Sequence, residues 1–436
     1  MRKKLFSIIC ICLILIGLPG FSKCGGPSSD FSGENSGESG VVSNVVSDGN
    51  SGEDSDVVSD GNSDANSDVI SEANSDNESS DIYLKYPNAK ISEYLVLESK
   101  LETEYAEGFE VYYYEEGYVL LITVEDDAKF LIIPEGKDVP KDIKEEINVV
   151  RRPIKDVYLV ASAVMDMFAE LDSVDVITFS GKKEEDWYIK EAKDALQNGD
   201  MVYAGKYSKP DYETIVASDC PLVIENTMIY HSPEVKERFE EFEIPVMVEF
   251  SNYENHPLGR VEWVKFFGAL VGKDEEAKAI FDEQKRIVEE TSAKEKTGKT
   301  VAYFYITSNK LILVRKSSDY IPKMIEIAGG EYLYQDLDDE DGKLMVNMQI
   351  EQFYSDAKDA DILIYNSSID GGVETLDELF AKCELFEDFK AVKEGNVWCT
   401  TKDMYQESLS TGKMIEDLNK VINGDYEGLN YLYKLD

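Results

Sequence analysis

The chain has 436 residues and a formal net charge of −44. That length exceeds one ordinary domain, and so acidic a chain neither follows a phosphate backbone nor docks on anionic lipid by charge, so nucleic acid is not an expected partner. Hydrophobic residues at 43% supply material for more than one buried core.

The first segment does not read as part of the fold. MRKK gives a positive start, LFSIICICLILIGLP gives an apolar run of signal-peptide length, and Cys24 follows. Residues 1–24 resemble a bacterial lipoprotein signal. That resemblance implies lipidation of Cys24 and an extracytoplasmic chain anchored on the outer face of the cytoplasmic membrane. FSKC departs from the usual box by placing Lys23 beside the cleavage point, so plain secretion or an uncleaved anchor stays open. With Cys10 and Cys12 in the signal, Cys220, Cys383 and Cys399 remain, without a CxxC spacing. Three separate buried thiols fit that arithmetic better than a Cys383–Cys399 pair.

Residues 25–82 are dominated by Ser, Asp, Asn, Gly and Glu with no lysine or arginine, and VVSDGNS occurs at 45–51 and again at 57–63. Such a segment buries too little apolar surface to offset the entropy of ordering, which predicts a disordered acidic linker. As a flexible coil its r.m.s. reach is roughly 40–45 Å, suiting a tether. Residues 83–150 form a β-rich extension. Within it FEVYYYEEGYVLLITVEDDAKFLIIP (109–134) contains three β-type runs split by EEG and EDD, predicting a small antiparallel sheet.

From 151 to 273 short apolar runs alternate with helical segments: VYLVASA then VMDMFAEL, VDVITFS then WYIKEAKDAL, PLVIEN then SPEVKERFEEF, IPVMVEFS then LGRVEWVKFFGALVG. Continuous apolar strands, each followed by a helix, predict a mainly parallel sheet flanked by helices, an N-terminal α/β lobe. Asp274 is placed to cap a helix over 274–297 that links to a C-terminal α/β lobe over 298–436, where the alternation resumes.

The chain from about Pro153 to Ile422 resembles the substrate-binding proteins of ABC importers, in the class that carries iron-siderophores, haem and cobalamin. The resemblance rests on PDYETIVASDCPLVI, on IPVMVEF followed by HPLGRVEWVKFFGALVGKDEEA, on SDYIPKMIEIAGGEYL, on IEQFYSDAKDADILIYNS and on EDFKAVKEGNVW, in that order. It does not cover 83–150. It implies a monomeric binding protein, not an enzyme, that captures a small iron chelate between two lobes and passes it to an ABC permease. A siderophore is the first expectation and a tetrapyrrole (haem or cobalamin) the second. A surface sensor or adhesion protein of the same fold is a further alternative. Glu213 in PDYETIV and Glu351 in IEQFYSD match the family's permease-docking glutamates; acidic residues also favour helix N-termini for reasons of their own.

Ligands of open α/β sheets sit outside the carboxyl ends of the strands. That rule selects Ser162, Trp187, Tyr207, Thr227, Tyr230, His231 and Arg260 in the first lobe, and Arg315, Asn366 and Tyr405 in the second. The arginines suit carboxylate or phosphate, and the aromatic rings suit flat ligand walls. His231 and His256 are the only histidines, too few for a bare-metal site, so no metal site and no resident cofactor is expected. His231, Met228 or Tyr230 remain as single axial ligands for a haem. GxSxG, Walker A, HExxH and GxGxxG are all missing.

Overall fold

The structure is a computed structural model that describes residues 82–337, 343–368 and 370–436. The signal, Cys24 and the linker through residue 81 lie outside the described residues.

The extension is a five-stranded sheet, β1 (Leu97–Lys100), β2 (Phe109–Tyr114), β3 (Val119–Thr123), β4 (Ala128–Ile133) and β5 (Ile147–Arg151), in that spatial order. Strands β1 to β4 are antiparallel, but β5 runs parallel to β4. The three runs expected at 109–134 are thus β2 to β4, antiparallel as expected, and the parallel β5 beyond them makes the sheet mixed. The segment 134–146 is too long for a hairpin and returns the chain to the start of β4 before β5 begins. Side-chain alternation splits the sheet between two cores. Phe109, Val111, Leu121, Phe130 and Ile132 join the main core, whereas Tyr112, Tyr114, Leu120, Ile122 and Leu131 form a separate one. This explains why β3 reads as VLLIT without a polar face.

The helix Pro257–Val271 receives the extension's inner face. Thirteen of its residues are buried, and the Phe109 ring lies 5.0 Å from Trp263 and 5.4 Å from Phe266. His256 starts this helix, its Nδ1 accepting the Leu258 N–H at 3.1 Å. Two carboxylates fasten the loop before β2. Glu262 accepts the N–H groups of Glu104, Tyr105 and Ala106 at 2.8–3.1 Å, and Glu254 accepts those of Glu107 and Gly108 at 2.9–3.2 Å.

The first lobe is a parallel sheet in the order β12-β11-β6-β7-β8. It comprises β6 (Val157–Leu159), β7 (Ile177–Ser180), β8 (Val202–Tyr203), β11 (Val223–Asn226) and β12 (Val246–Glu249). Every residue of β6 and β12 is buried, as helices on both faces require. After β8 a tight hairpin, β9 (Gly205–Lys206) with β10 (Lys209–Pro210), interrupts the alternation. Gly205 is needed there: its φ is +89°, and a Cβ would stand 2.3 Å from the Lys209 carbonyl oxygen.

The linking helix spans Asp274–Ser292, shorter than the expected 274–297. Lys273 occupies the N-cap position, and Asp274 is instead the first helical residue, where it accepts the Tyr113 hydroxyl at 2.5 Å. Nineteen residues give roughly 28 Å at the usual rise. The second lobe is a sheet in the order β16-β14-β13-β17-β18-β19, with β15 also on β13. Its strands are β13 (Thr300–Ile306), β14 (Ile312–Arg315), β15 (Glu331–Tyr332), β16 (Met345–Met348), β17 (Ile362–Tyr365), β18 (Val397–Thr400) and β19 (Leu432–Lys434). β13, β17 and β18 are parallel, while β14 and β19 run against their neighbours.

Candidate functional site

The two lobes meet at the carboxyl ends of β6, β7 and β18. Gln406, fully buried, joins the loops after β7 and β18: its Oε1 accepts the Tyr188 N–H at 2.8 Å and its Nε2 donates to the Asp186 carbonyl at 2.8 Å. Two residues on, Ser408 Oγ donates to the Ala163 carbonyl at 2.9 Å, and the Leu409 N–H donates to Asp166 Oδ2 at 2.7 Å. Asp166 lies on the helix Ser162–Glu170. Burial pushes its carboxyl up to about 7, with Glu170, Glu407 and Glu191 adding to the rise against the Leu409 N–H.

Beside this seam the rings of Tyr188 and Tyr405 meet edge to face, with centroids 6.4 Å apart. Lys182, from the loop after β7, places its ammonium 5.9 Å from the centre of the Tyr405 ring. Burial, with the Tyr405 phenol beside it, raises the Tyr188 phenol, and Lys402 of the loop after β18 offsets only part of that rise.

A second junction lies at the ends of β11 and β12. The Arg260 guanidinium stacks 3.8 Å from the centre of the Tyr320 ring, across the lobe boundary. Arg260 Nε, Ser251 Oγ and Asn252 Oδ1 are buried without partners among the described residues. Thr227 Oγ1 accepts the Asn252 amide at 3.3 Å. Tyr230 stacks on Phe250 and directs its hydroxyl to Asp126 of the β3–β4 turn at 3.4 Å, so the extension reaches the rim of this junction. His231 ends the short 3-10 turn Thr227–His231 and is exposed.

The residues selected by the strand-end rule divide. Tyr405 and Arg260 stand at the lobe junction, Thr227 and Tyr230 at its rim. Ser162 opens the helix Ser162–Glu170 and is half-buried; Tyr207 sits half-buried at the tip of the β9–β10 hairpin. Three readings are corrected. Trp187 is fully buried with its indole N–H on Ser180 Oγ at 3.0 Å, so it supports the loop and presents no wall. Arg315 pairs with buried Asp319 at 3.0 Å. Its strand β14 is antiparallel to β13, with Ile306 opposite Ile312, which puts Arg315 away from the end of β13 that faces the junction. The rule holds only for the parallel strands. Asn366 is buried and its Oδ1 accepts the Ser368 N–H at 3.0 Å, shaping a turn.

Sequence reasoning passed over Lys182, Tyr188, Lys402 and Gln406. Tyr188 and Gln406 adjoin the selected Trp187 and Tyr405, and the signal available for all four was their place on the loops after β7 and β18. Glu213 and Glu351 are both exposed, each in the first turn of its helix. Cys220, Cys383 and Cys399 are free thiols. No group of three or more His, Cys, Asp or Glu is placed to hold a metal ion among the described residues.

Two α/β lobes facing each other along strand ends, joined by one long helix, define the bilobal class of solute-binding folds. The periplasmic binding protein family model matches residues 157–404, and the chain belongs to this family of extracytoplasmic binding proteins. Two uncharacterized lipoproteins of Methanocaldococcus jannaschii are similar to it. One is 27% identical over 347 residues, covering 73% of this chain and 81% of the relative; the other is 26% identical over 353 residues, covering 76% and 86%. Among solved structures, a periplasmic binding protein from Veillonella parvula superposes with a TM-score of 0.51 at 14% identity, covering 63% of this chain and 93% of that one, a likeness of fold.

Proposed function

We propose that this protein is a lipid-anchored extracytoplasmic receptor that captures a small iron chelate between its lobes and delivers it to an ABC permease. The observation that carries the reading is the meeting of the parallel strand ends of both lobes at Gln406 and at the Arg260–Tyr320 stack, where a ligand of an open α/β fold is held. A siderophore is the first candidate, and haem or cobalamin the second. Glu213 and Glu351, exposed on separate lobes, are the assigned contacts to cationic residues of the permease. Cys24 carries the anchor, a reading supported by the likeness to two archaeal lipoproteins.

The test is uptake in cells carrying Glu213→Arg with Glu351→Arg. Ligand binding by the purified variant should be unchanged while uptake falls by about tenfold or more, the effect expected from reversing exposed docking charges. Uptake at the wild-type rate would sink the docking assignment and favour a sensor or adhesion role. Absorption spectroscopy and mass spectrometry of the purified chain identify the ligand, and a Soret band would move haem ahead of the siderophore.

A further inference from the structure

The second lobe carries a groove of about 650 Å³ that shares no residue with either lobe junction. Its floor is apolar. Ile306 and Ile312 stand opposite each other in the β13–β14 pair, and Ile350 opens the helix Ile350–Ala357. Phe380 comes from the helix Leu376–Lys382 and Leu385 from the turn Glu384–Asp388. The turn is anchored from beneath by Phe386, which is fully buried and stacks on Phe304 at 5.1 Å and on Phe389 at 4.8 Å. With Phe386 filling the core, its neighbour Leu385 is left 38% exposed at the mouth of the groove. An apolar pocket on so fixed a floor accepts a partner's side chain without first having to rearrange.

The charges around the groove indicate the character of that partner. Lys382 is paired with Asp370 and Asp388 with Lys393, so neither is available. Glu384 and Glu387 are exposed on the turn, and Glu351 is exposed directly after Ile350; none of the three has an ion-pair partner among the described residues. Against them stands one exposed lysine lining the groove, Lys310. An apolar floor under an acidic rim is complementary to an apolar side chain flanked by cations.

We propose that this groove receives an apolar side chain, flanked by arginine or lysine, from an extracytoplasmic loop of the permease, so that the groove and Glu351 form one docking surface. This rests on the reading of Glu351 as a permease contact. Exposed ion pairs steer and orient a partner but hold it weakly, whereas an apolar side chain buried on the groove floor supplies the attraction that keeps the two proteins together.

The test places the photo-crosslinking residue p-benzoylphenylalanine at Leu385 in one sample of the full chain. A second sample carries it at Gln352, which is exposed beside Glu351. Each is mixed with membranes of the cells that express the protein and irradiated, and the joined peptides are identified by mass spectrometry. Both positions should cross-link to the same ABC permease, the Leu385 position next to an apolar residue within a few positions of arginine or lysine. Leu385→Asp should lower the yield from position 352 about tenfold, because it sets a charge against an apolar contact. Leu385→Gln should act in the same direction, with the unfolding midpoint of both variants unchanged. Cross-linking from 352 alone, or a yield from 352 indifferent to both Leu385 variants, overturns the groove assignment and leaves the Glu351 reading standing. Cross-linking of position 385 to a second copy of this chain or to lipid also overturns it. Failure at both positions overturns the docking reading itself.

Discussion

Glu254 and Glu262 divide between them five consecutive backbone N–H groups, Glu262 taking residues 104 to 106 and Glu254 taking 107 and 108. Both carboxylates are buried, and Glu262 also accepts Lys265 Nζ at 2.7 Å. A carboxylate is the one side chain that accepts several donors and donates none, so these two hold a loop that would otherwise bury unpaired N–H groups. The extension is thereby tied to the helix Pro257–Val271 through the backbone as well as through Phe109.

Glu262→Gln should therefore be far more disruptive than its size suggests. The amide NH2 faces donors it cannot satisfy, and Lys265 is left buried without its counter-charge. A loss of about 3 kcal/mol is expected, read as a lowered midpoint in urea unfolding. A midpoint within experimental error of wild type would show that the loop is held by other contacts.

Glu225 gives a pH-dependent prediction. Neither of its oxygens has a partner among the described residues, and burial alone raises its carboxyl from 4.5 to about 8. Between those values the folded chain keeps a proton that the unfolded chain has released. Its contribution to stability is therefore full below the lower value and lost as pH rises through the upper one. Glu225→Gln should match wild type near pH 4, and exceed its Tm by a few degrees near pH 9. Equal Tm values at the alkaline end would mean that the ionised carboxylate is solvated.

Gln406→Ala leaves the Tyr188 N–H and the Asp186 carbonyl without their interlobe partner. A cost of about 1–3 kcal/mol is expected for buried groups so exposed to loss, felt at the lobe seam rather than within either sheet. Hydrogen exchange at residues 181–188 should accelerate, while exchange in β3 and β4 stays as it was. Uniform acceleration across the chain would instead indicate global destabilisation and no special role at the seam.

The parallel strands β6, β7, β11 and β12 were legible because a strand buried on both faces has to be a continuous apolar run. β9, β10 and β19 were not, since each has only two or three residues and owes its pairing to tertiary neighbours. The same limit governs the site. Tyr405 and Arg260 could be found from the strand-end rule, but the rule treats every strand as parallel, and Arg315 fell to the antiparallel β14. Trp187 was chosen for its ring, although its indole N–H finds Ser180 and draws the side chain inward. In the turn Thr227–His231 the tyrosine, Tyr230, reaches Asp126 of the extension.

The Gln406 bridge has a consequence for motion. Its side chain, carried by the loop after β18, bonds the backbone of the loop after β7 at Asp186 and at Tyr188, on both sides of Trp187. The two loops therefore part only by giving up both bonds together, and separation at this seam is a single step rather than a gradual slide.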